Sequence, residues 1–281
     1  MLRRYVLFVL MILSIYSLVS CNQGVGNDKM SSFNTKYLNY VTVDKGFSIV
    51  KSAEYSGTEY EYVVYELESD DRYSESNYRK VYWVIIVLKD GEVFSVLRQN
   101  ADENAESISM PTASNLLKEI DVDFNGKNDI LLWLGHFGNQ GYISYACYLN
   151  KGNDFIECPS FSDIRNPAVD AENHVILSSW RNWAASHSYA IYYFIDGEYI
   201  EMERLTEEQI TTENGEKIWT WTDEIFVNGN WQVREYFTEK DYDKETIYEK
   251  VRGVNSHWGI AQDRWRTLFN NGLMLDFSIY D

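Results

Sequence analysis

The stretch Val81-Tyr-Trp-Val-Ile-Ile-Val-Leu88-Lys89-Asp90-Gly91-Glu92-Val93-Phe-Ser-Val-Leu97 decides the fold. Two short runs of β-branched and aromatic residues flank an Asp-Gly pair, and that pair accepts the positive φ angles of a type I′ hairpin turn. Similar punctuation recurs at Gly152-Asn153, Asp196-Gly197 and Asn228-Gly229, and Glu61 to Leu67 reads as a further strand. The fold class that follows is mostly β: an antiparallel β-sandwich or β-barrel-like domain built of hairpins. Two polar insertions, Ser69 to Asn77 and Asn100 to Glu106, separate strands.

The pattern changes near the end of the chain. Ile247, Val251, Val254, Trp258, Ala261, Trp265 and Leu268 fall at three- and four-residue spacing, which predicts one C-terminal amphipathic helix. Gly253 and Gly259 lie inside it, each weakening it by about 1 kcal/mol relative to alanine. The stripe is expected to pack on its own sheet.

At the other end, Arg3 and Arg4 precede an uncharged apolar run from Tyr5 to Val19, closed by Leu18-Val19-Ser20-Cys21. A run of about fifteen residues is short of the roughly 20 that span a bilayer, so residues 1–20 read as a signal peptide with Cys21 as the lipidated residue of an exported lipoprotein. Residues 21–36 are small and polar and read as a tether. The expected organisation is then a β-rich domain over residues 37–205 and a β-hairpin plus helix extension over residues 206–281. The expected location is the cell envelope outside the cytoplasm, with membrane contact through the lipid alone.

Composition narrows the partners. The formal net charge is −18, and loss of Arg3 and Arg4 makes the mature chain more acidic still. Such a surface repels phosphate backbones, which argues against nucleic acid, and attracts basic proteins at long range. With Cys21 lipidated, Cys147 and Cys158 remain as a candidate disulfide. Folding Tyr148 to Glu157 around Gly152-Asn153 sets the two opposite each other, and a bond there would close a loop of about a dozen residues for about 3 kcal/mol.

The most informative segment is Asp121-Val-Asp123-Phe-Asn125-Gly126-Lys127-Asn128-Asp129. Oxygen-bearing groups at alternate positions wrap around one point, which is what a calcium ion taking six to eight oxygens requires. Asp121, Asp123, Asn125, the carbonyl of Lys127 and Asp129 form the candidate ligand set, with Gly126 at the sharp turn. The twelfth position of an EF-hand would be a glutamate; here it is Leu132, within a strand-like run. Calcium is therefore expected as a structural cofactor of a loop that feeds a strand.

No zinc-hydrolase pair, nucleophile elbow, phosphate loop or dinucleotide fingerprint is present among the sequence motifs. A non-enzymatic role is expected. The rival reading is a surface module for carbohydrate or protein that uses Trp180, Trp183, Trp219 and Trp221 as stacking platforms. A glycosidase built on an unlocated pair of carboxylates is the third.

The aspartate loop is followed by Tyr142-Ile-Ser-Tyr145, Tyr148-Leu149, Phe155, Asn166-Pro167, Asp170, Asn173, Ile176, Ser178-Ser179, Arg181 and Tyr189. In this order the chain, over roughly Trp83 to Leu205, resembles periplasmic lipoproteins that act as immunity proteins against type IV secreted lysozyme-like effectors. These are related to inhibitors of invertebrate-type lysozyme. The resemblance implies a β-rich fold, a calcium loop at the matching aspartates, and a lysozyme-like cell-wall hydrolase as partner. It also implies that a loop with small and tyrosine residues enters the hydrolase cleft, here Gly135, Gly138, Asn139, Gly141 and Tyr142. Related inhibitors carry Ser-Gly-x-x-Tyr; this chain has Phe137-Gly138-Asn139-Gln140-Gly141-Tyr142, without the serine and one residue longer.

Overall fold

The computed structural model describes residues 34–69, 81–100, 117–137 and 142–270. The expected signal peptide, the expected lipidation site Cys21 and most of the expected tether lie outside these residues, as do nearly all of the two polar insertions. Phe33–Asp281 forms one compact unit.

Its architecture is mostly β, in three antiparallel sheets: β1–β4, β5–β8, and a six-stranded sheet ordered β14-β13-β12-β11-β10-β9. The first comprises β1 (Phe47–Ser56), β2 (Glu61–Ser69), β3 (Val81–Lys89) and β4 (Glu92–Asn100). The second comprises β5 (Leu117–Ile120), β6 (Asp129–Phe137), β7 (Tyr142–Asn150) and β8 (Phe155–Glu157). The third runs from β9 (Ala168–Asp170) through β10 (Val175–Trp183), β11 (Ser186–Ile195), β12 (Glu198–Thr211) and β13 (Lys217–Val227) to β14 (Asn230–Thr238). Neighbouring β-sheets stack as sandwich layers, and none of the described sheets closes into a barrel.

The period of two residues along a strand assigns each side chain to a layer. On β6 and β7, Ile130, Leu132, Leu134, Ala146 and Tyr148 pack against Tyr62, Val64, Trp83 and Ile85 of the first sheet. Their alternates Leu131, Trp133, Ile143, Tyr145 and Cys147 pack against Ile176, Ala190, Tyr192 and Tyr199 of the third. The second sheet is thus buried on both faces, which is why its strands read as near-continuous apolar runs. Complete burial of a side chain such as Tyr145 or Leu131 contributes about 1.5 to 3 kcal/mol. The segment following Asn34 crosses the outer face of the first sheet: Tyr37 is buried there, the Tyr65 hydroxyl donates to the Asn34 carbonyl (2.7 Å), and the Asp44 amide donates to the Tyr82 hydroxyl (3.2 Å).

The far face of the third sheet is covered by helices, and here the single predicted helix becomes two. After one helical turn, α1 (Pro159–Ser162), the chain has α2 (Lys244–Arg252) and α3 (His257–Leu268). Asp243 caps α2 by accepting from Thr246 N (2.8 Å), and Ser256 caps α3 by accepting from Gly259 N (2.9 Å). Between them Gly253 is extended (φ −64°, ψ 142°). A Cβ on Gly259 would lie 2.0 Å from the Gly253 carbonyl oxygen, so these glycines allow a helix corner to close rather than weakening one helix. Leu205, Trp221 and Phe237 of the sheet pack against Val251 and Trp258 under that corner.

The boundary expected after residue 205 falls inside β12, whose 14 residues continue to Thr211. β12 lies between β11 and β13 with Leu205 paired to both Tyr189 and Asp223.

Candidate metal centre and the neighbouring hairpin

The loop between β5 and β6 is shaped by its own polar groups. Asp121 accepts from Asn125 N (3.1 Å) and Gly126 N (2.8 Å), and Asn125 Oδ1 accepts from Lys127 N (2.8 Å). The turn needs positive φ at Phe124 (60°) and Gly126 (85°); glycine adopts it without penalty, while Phe124 is steadied by stacking on His174 at 5.1 Å. Asp129, fully buried at the start of β6, accepts from Val122 N (2.8 Å), Asp123 N (3.3 Å) and Asn150 N (2.8 Å).

This folding brings Asp121, Asp123 and Asp129 together, with one oxygen from each lying within 4.8 Å of the others. Asp123 Oδ1 is buried and has no hydrogen-bond partner, and its Oδ2 contacts Lys151 Nζ at 3.2 Å. Burial pushes the Asp129 carboxyl up to about 6, against the pull of the Asn150 and Val122 amides, and the Asp123 charge raises it further. Three crowded carboxylates and an orphaned buried oxygen are costly without a cation at their centre. With Asn125 Oδ1 and the Lys127 carbonyl, the donor set is all oxygen, the chemistry of a hard cation.

Long-range partners pin the loop, and sequence reasoning missed them. Tyr199 donates to the Val122 carbonyl (2.5 Å), and Asn128 Nδ2 donates to Glu59 Oε1 (2.9 Å). Asn150 Nδ2 donates to the Tyr60 hydroxyl and to the Asn128 carbonyl, each at 3.1 Å, while its Oδ1 accepts from Gly152 N (2.9 Å). The one local signal for Asn150 was an Asn two residues before a turn glycine.

β6 and β7 form the hairpin that leaves this centre. Gly138, Asn139 and Gly141 lie outside the described residues. Gly135 and Tyr142 do not belong to a loop: Gly135 is in β6 opposite Ser144, and Tyr142 begins β7 opposite Phe137. A bulge between Trp133 and Gly135, with Gly135 at φ 132°, keeps the strands paired further than the expected loop from Gly135 to Tyr142 allowed. Tyr142 is half-buried, and the Arg165 guanidinium lies 4.9 Å from its ring centroid.

Cys147 and Cys158 are brought opposite each other as expected, with Cys158 N donating to the Cys147 carbonyl (2.8 Å). Both are buried free thiols, so the candidate disulfide is not formed in this structure. Cys147 lies in β7, whereas Cys158 follows the end of β8 and stands just before α1. Contact with Cys147 holds the Cys158 thiol down to about 6 against the opposing effect of burial.

The four tryptophans separate. Trp221 is buried and stacks on Phe237 (5.3 Å), and Trp219 packs against the same cluster beneath the helices. Trp180 is half-buried, and Trp183 alone of the four is exposed, at 49%. No described helix is long and apolar enough to cross a membrane.

No protein-family model matches the chain, and no curated protein matches it. A solved chain described as "Structure of a Xanthomonas Type IV Secretion System related protein" is similar at 16% identity, covering 67% of this chain and 97% of that chain, with a TM-score of 0.42.

Proposed function

We propose that this chain is a lipid-anchored, non-enzymatic β-domain, held outside the cytoplasm, that binds and blocks a lysozyme-like cell-wall hydrolase. Calcium at Asp121, Asp123, Asn125, Lys127 and Asp129 would stabilise it. The observation that carries this reading is the convergence of three aspartates at the root of the hairpin that presents Tyr142. A cation there supplies charge neutralisation, and Asp129 then fixes where β6 begins. Tyr142 is set by its pairing with Phe137 of that strand. The acidic surface draws in cationic muramidases.

The test is titration of the full chain, in detergent, against purified muramidases led by an invertebrate-type lysozyme, with and without calcium. Slowed hydrolysis is expected, with Tyr142→Ala weakening it by about 2 kcal/mol, the cost of losing a central interface residue. No slowing of any muramidase overturns the reading. Lipidation is checked separately: Cys21→Ser should abolish uptake of labelled fatty acid and release the protein from the membrane fraction. The rival reading, a glycan-stacking module, is weakened because Trp219 and Trp221 face the core.

A further inference from the structure

Arg165 differs from the arginines of the fold that pair with acids. Arg204, Arg234, Arg252, Arg264 and Arg266 each hold a carboxylate. The Arg165 side chain, half-buried, lies 4.9 Å from the Tyr142 ring centroid and 5.6 Å from that of Trp180. Among the described residues, no carboxylate or carbonyl takes up its N–H donors. Partners are not scarce, since the chain carries 43 acidic residues against 25 basic ones. Among the described residues, its planar fork of donors lies open between two rings.

Its backbone is also held in place. The Ser178 hydroxyl donates to the Arg165 carbonyl. The next residue, Asn166, has a left-handed φ of 46°. Asn166 exchanges backbone and side-chain bonds with Ile143 (N to O, 2.9 Å; Ile143 N to Oδ1, 2.8 Å), donates through Nδ2 to Ser179 O (2.8 Å), and accepts from Trp265 Nε1 (2.9 Å). Trp180 is fixed through Nε1 to Asn182 Oδ1 (2.6 Å), and Asn182 Nδ2 donates to Ser186 (3.0 Å) and Ser188 (2.8 Å). The backbone is fixed and the two rings confine the guanidinium, so engaging a ligand costs it less entropy than it would a free arginine. Its geometry matches a carboxylate bidentately, and the rings supply apolar walls around that pair.

We propose that Arg165, walled by Tyr142 and Trp180, grips a carboxylate of the hydrolase partner. The group is one of the paired acids that line a glycosidase cleft. This rests on the inhibitor reading and names the group recognised at the same hairpin. It also makes a prediction of sign. Long-range electrostatics alone would have a cationic muramidase bind more tightly when a positive charge is removed from this acidic chain. A local ion pair requires looser binding.

The experiment is a double-mutant cycle by calorimetry with the full chain in detergent. The probes are the invertebrate-type lysozyme, or whichever muramidase the wild type slows, and its general-acid Glu→Gln form. Arg165→Gln and Arg165→Lys, checked for native melting, should each weaken binding at least tenfold. Against the Glu→Gln hydrolase they should cost little more. Arg98→Gln, on the exposed edge of the first sheet, should bind as wild type or slightly tighter. If both Arg165 variants bind as tightly as wild type, or their effects add fully to that of Glu→Gln, the carboxylate grip is wrong while inhibition stands. Should the wild type bind no muramidase, the inhibitor reading falls and takes this inference with it.

Discussion

Glu119 shows what a single carboxylate does in this fold. It accepts from Glu59 N (2.9 Å), Tyr60 N (3.3 Å), Tyr62 Oη (2.6 Å), and both the amide and the hydroxyl of Thr58. The β1–β2 turn of the first sheet is thereby tied to β5 of the second, and only a glycine at position 57 leaves room for it. Burial pushes its pKa up, but the Thr58 and Tyr62 hydroxyls and the two amides outweigh that and leave it below the usual value. A depressed pKa stabilises the fold above the unfolded carboxylate pKa, about 4.3, and the contribution is lost as pH falls through the folded value. Glu119→Gln should therefore cost about 1 to 2 kcal/mol at pH 7, with the gap to wild type narrowing below about pH 4 in urea melts. The candidate metal centre gives a second residue-scale expectation. If the proposed calcium binds with a dissociation constant of about 0.1 mM, mass action at about 1 mM calcium would stabilise the wild type by about 1.4 kcal/mol. Chelator should lower its melting temperature and leave Asp123→Ala unchanged. The aspartate spacing was legible in the sequence because the candidate ligands are neighbours along the chain. Glu119, Tyr199 and Arg165 were not, because their partners arrive from other strands, 57 residues away for Tyr62 and 77 for the Tyr199–Val122 bond.

At the scale of elements, turn chemistry was the most readable signal. Asp90-Gly91 (φ 54° and 80°), Asp196-Gly197 (52° and 93°) and Asn228-Gly229 (51° and 80°) all adopt the paired positive angles that a two-residue hairpin demands. The helix corner was unreadable for a physical reason. Apolar spacing continues through Gly253 because both helices face the same cluster, so periodicity sees one stripe where the backbone makes a bend. Gly259→Ala tests that geometry: its Cβ would meet the Gly253 carbonyl at 2.0 Å, and the forced separation of α2 from α3 should cost about 1 to 3 kcal/mol. Asp243→Ala should cost about 1 kcal/mol by removing the α2 cap. Urea denaturation of the two variants ranks these effects.

For the whole molecule, charge was legible and layering was not. A net charge of −18 follows from composition, and it predicts that association with the proposed cationic hydrolase would slow at least tenfold between about 0.05 and 0.5 M salt, while dissociation would change little. Stopped-flow mixing measures both. Which hairpins would share a sheet could not be read, because an apolar strand buried on both faces gives no hint of its neighbours. The outcome centres on β12, which lends Tyr199 to the core between the second and third sheets and Leu205 to the core beneath the helices. One strand cannot be half melted without exposing both cores, so thermal unfolding should proceed as a single cooperative step, with fluorescence and circular dichroism transitions coinciding. A fragment ending at residue 205 would keep the aspartate loop and the hairpin but cut that shared beam in the middle. Such a fragment is expected to lose the cooperative transition of the full chain, which circular dichroism melting of the truncated protein checks.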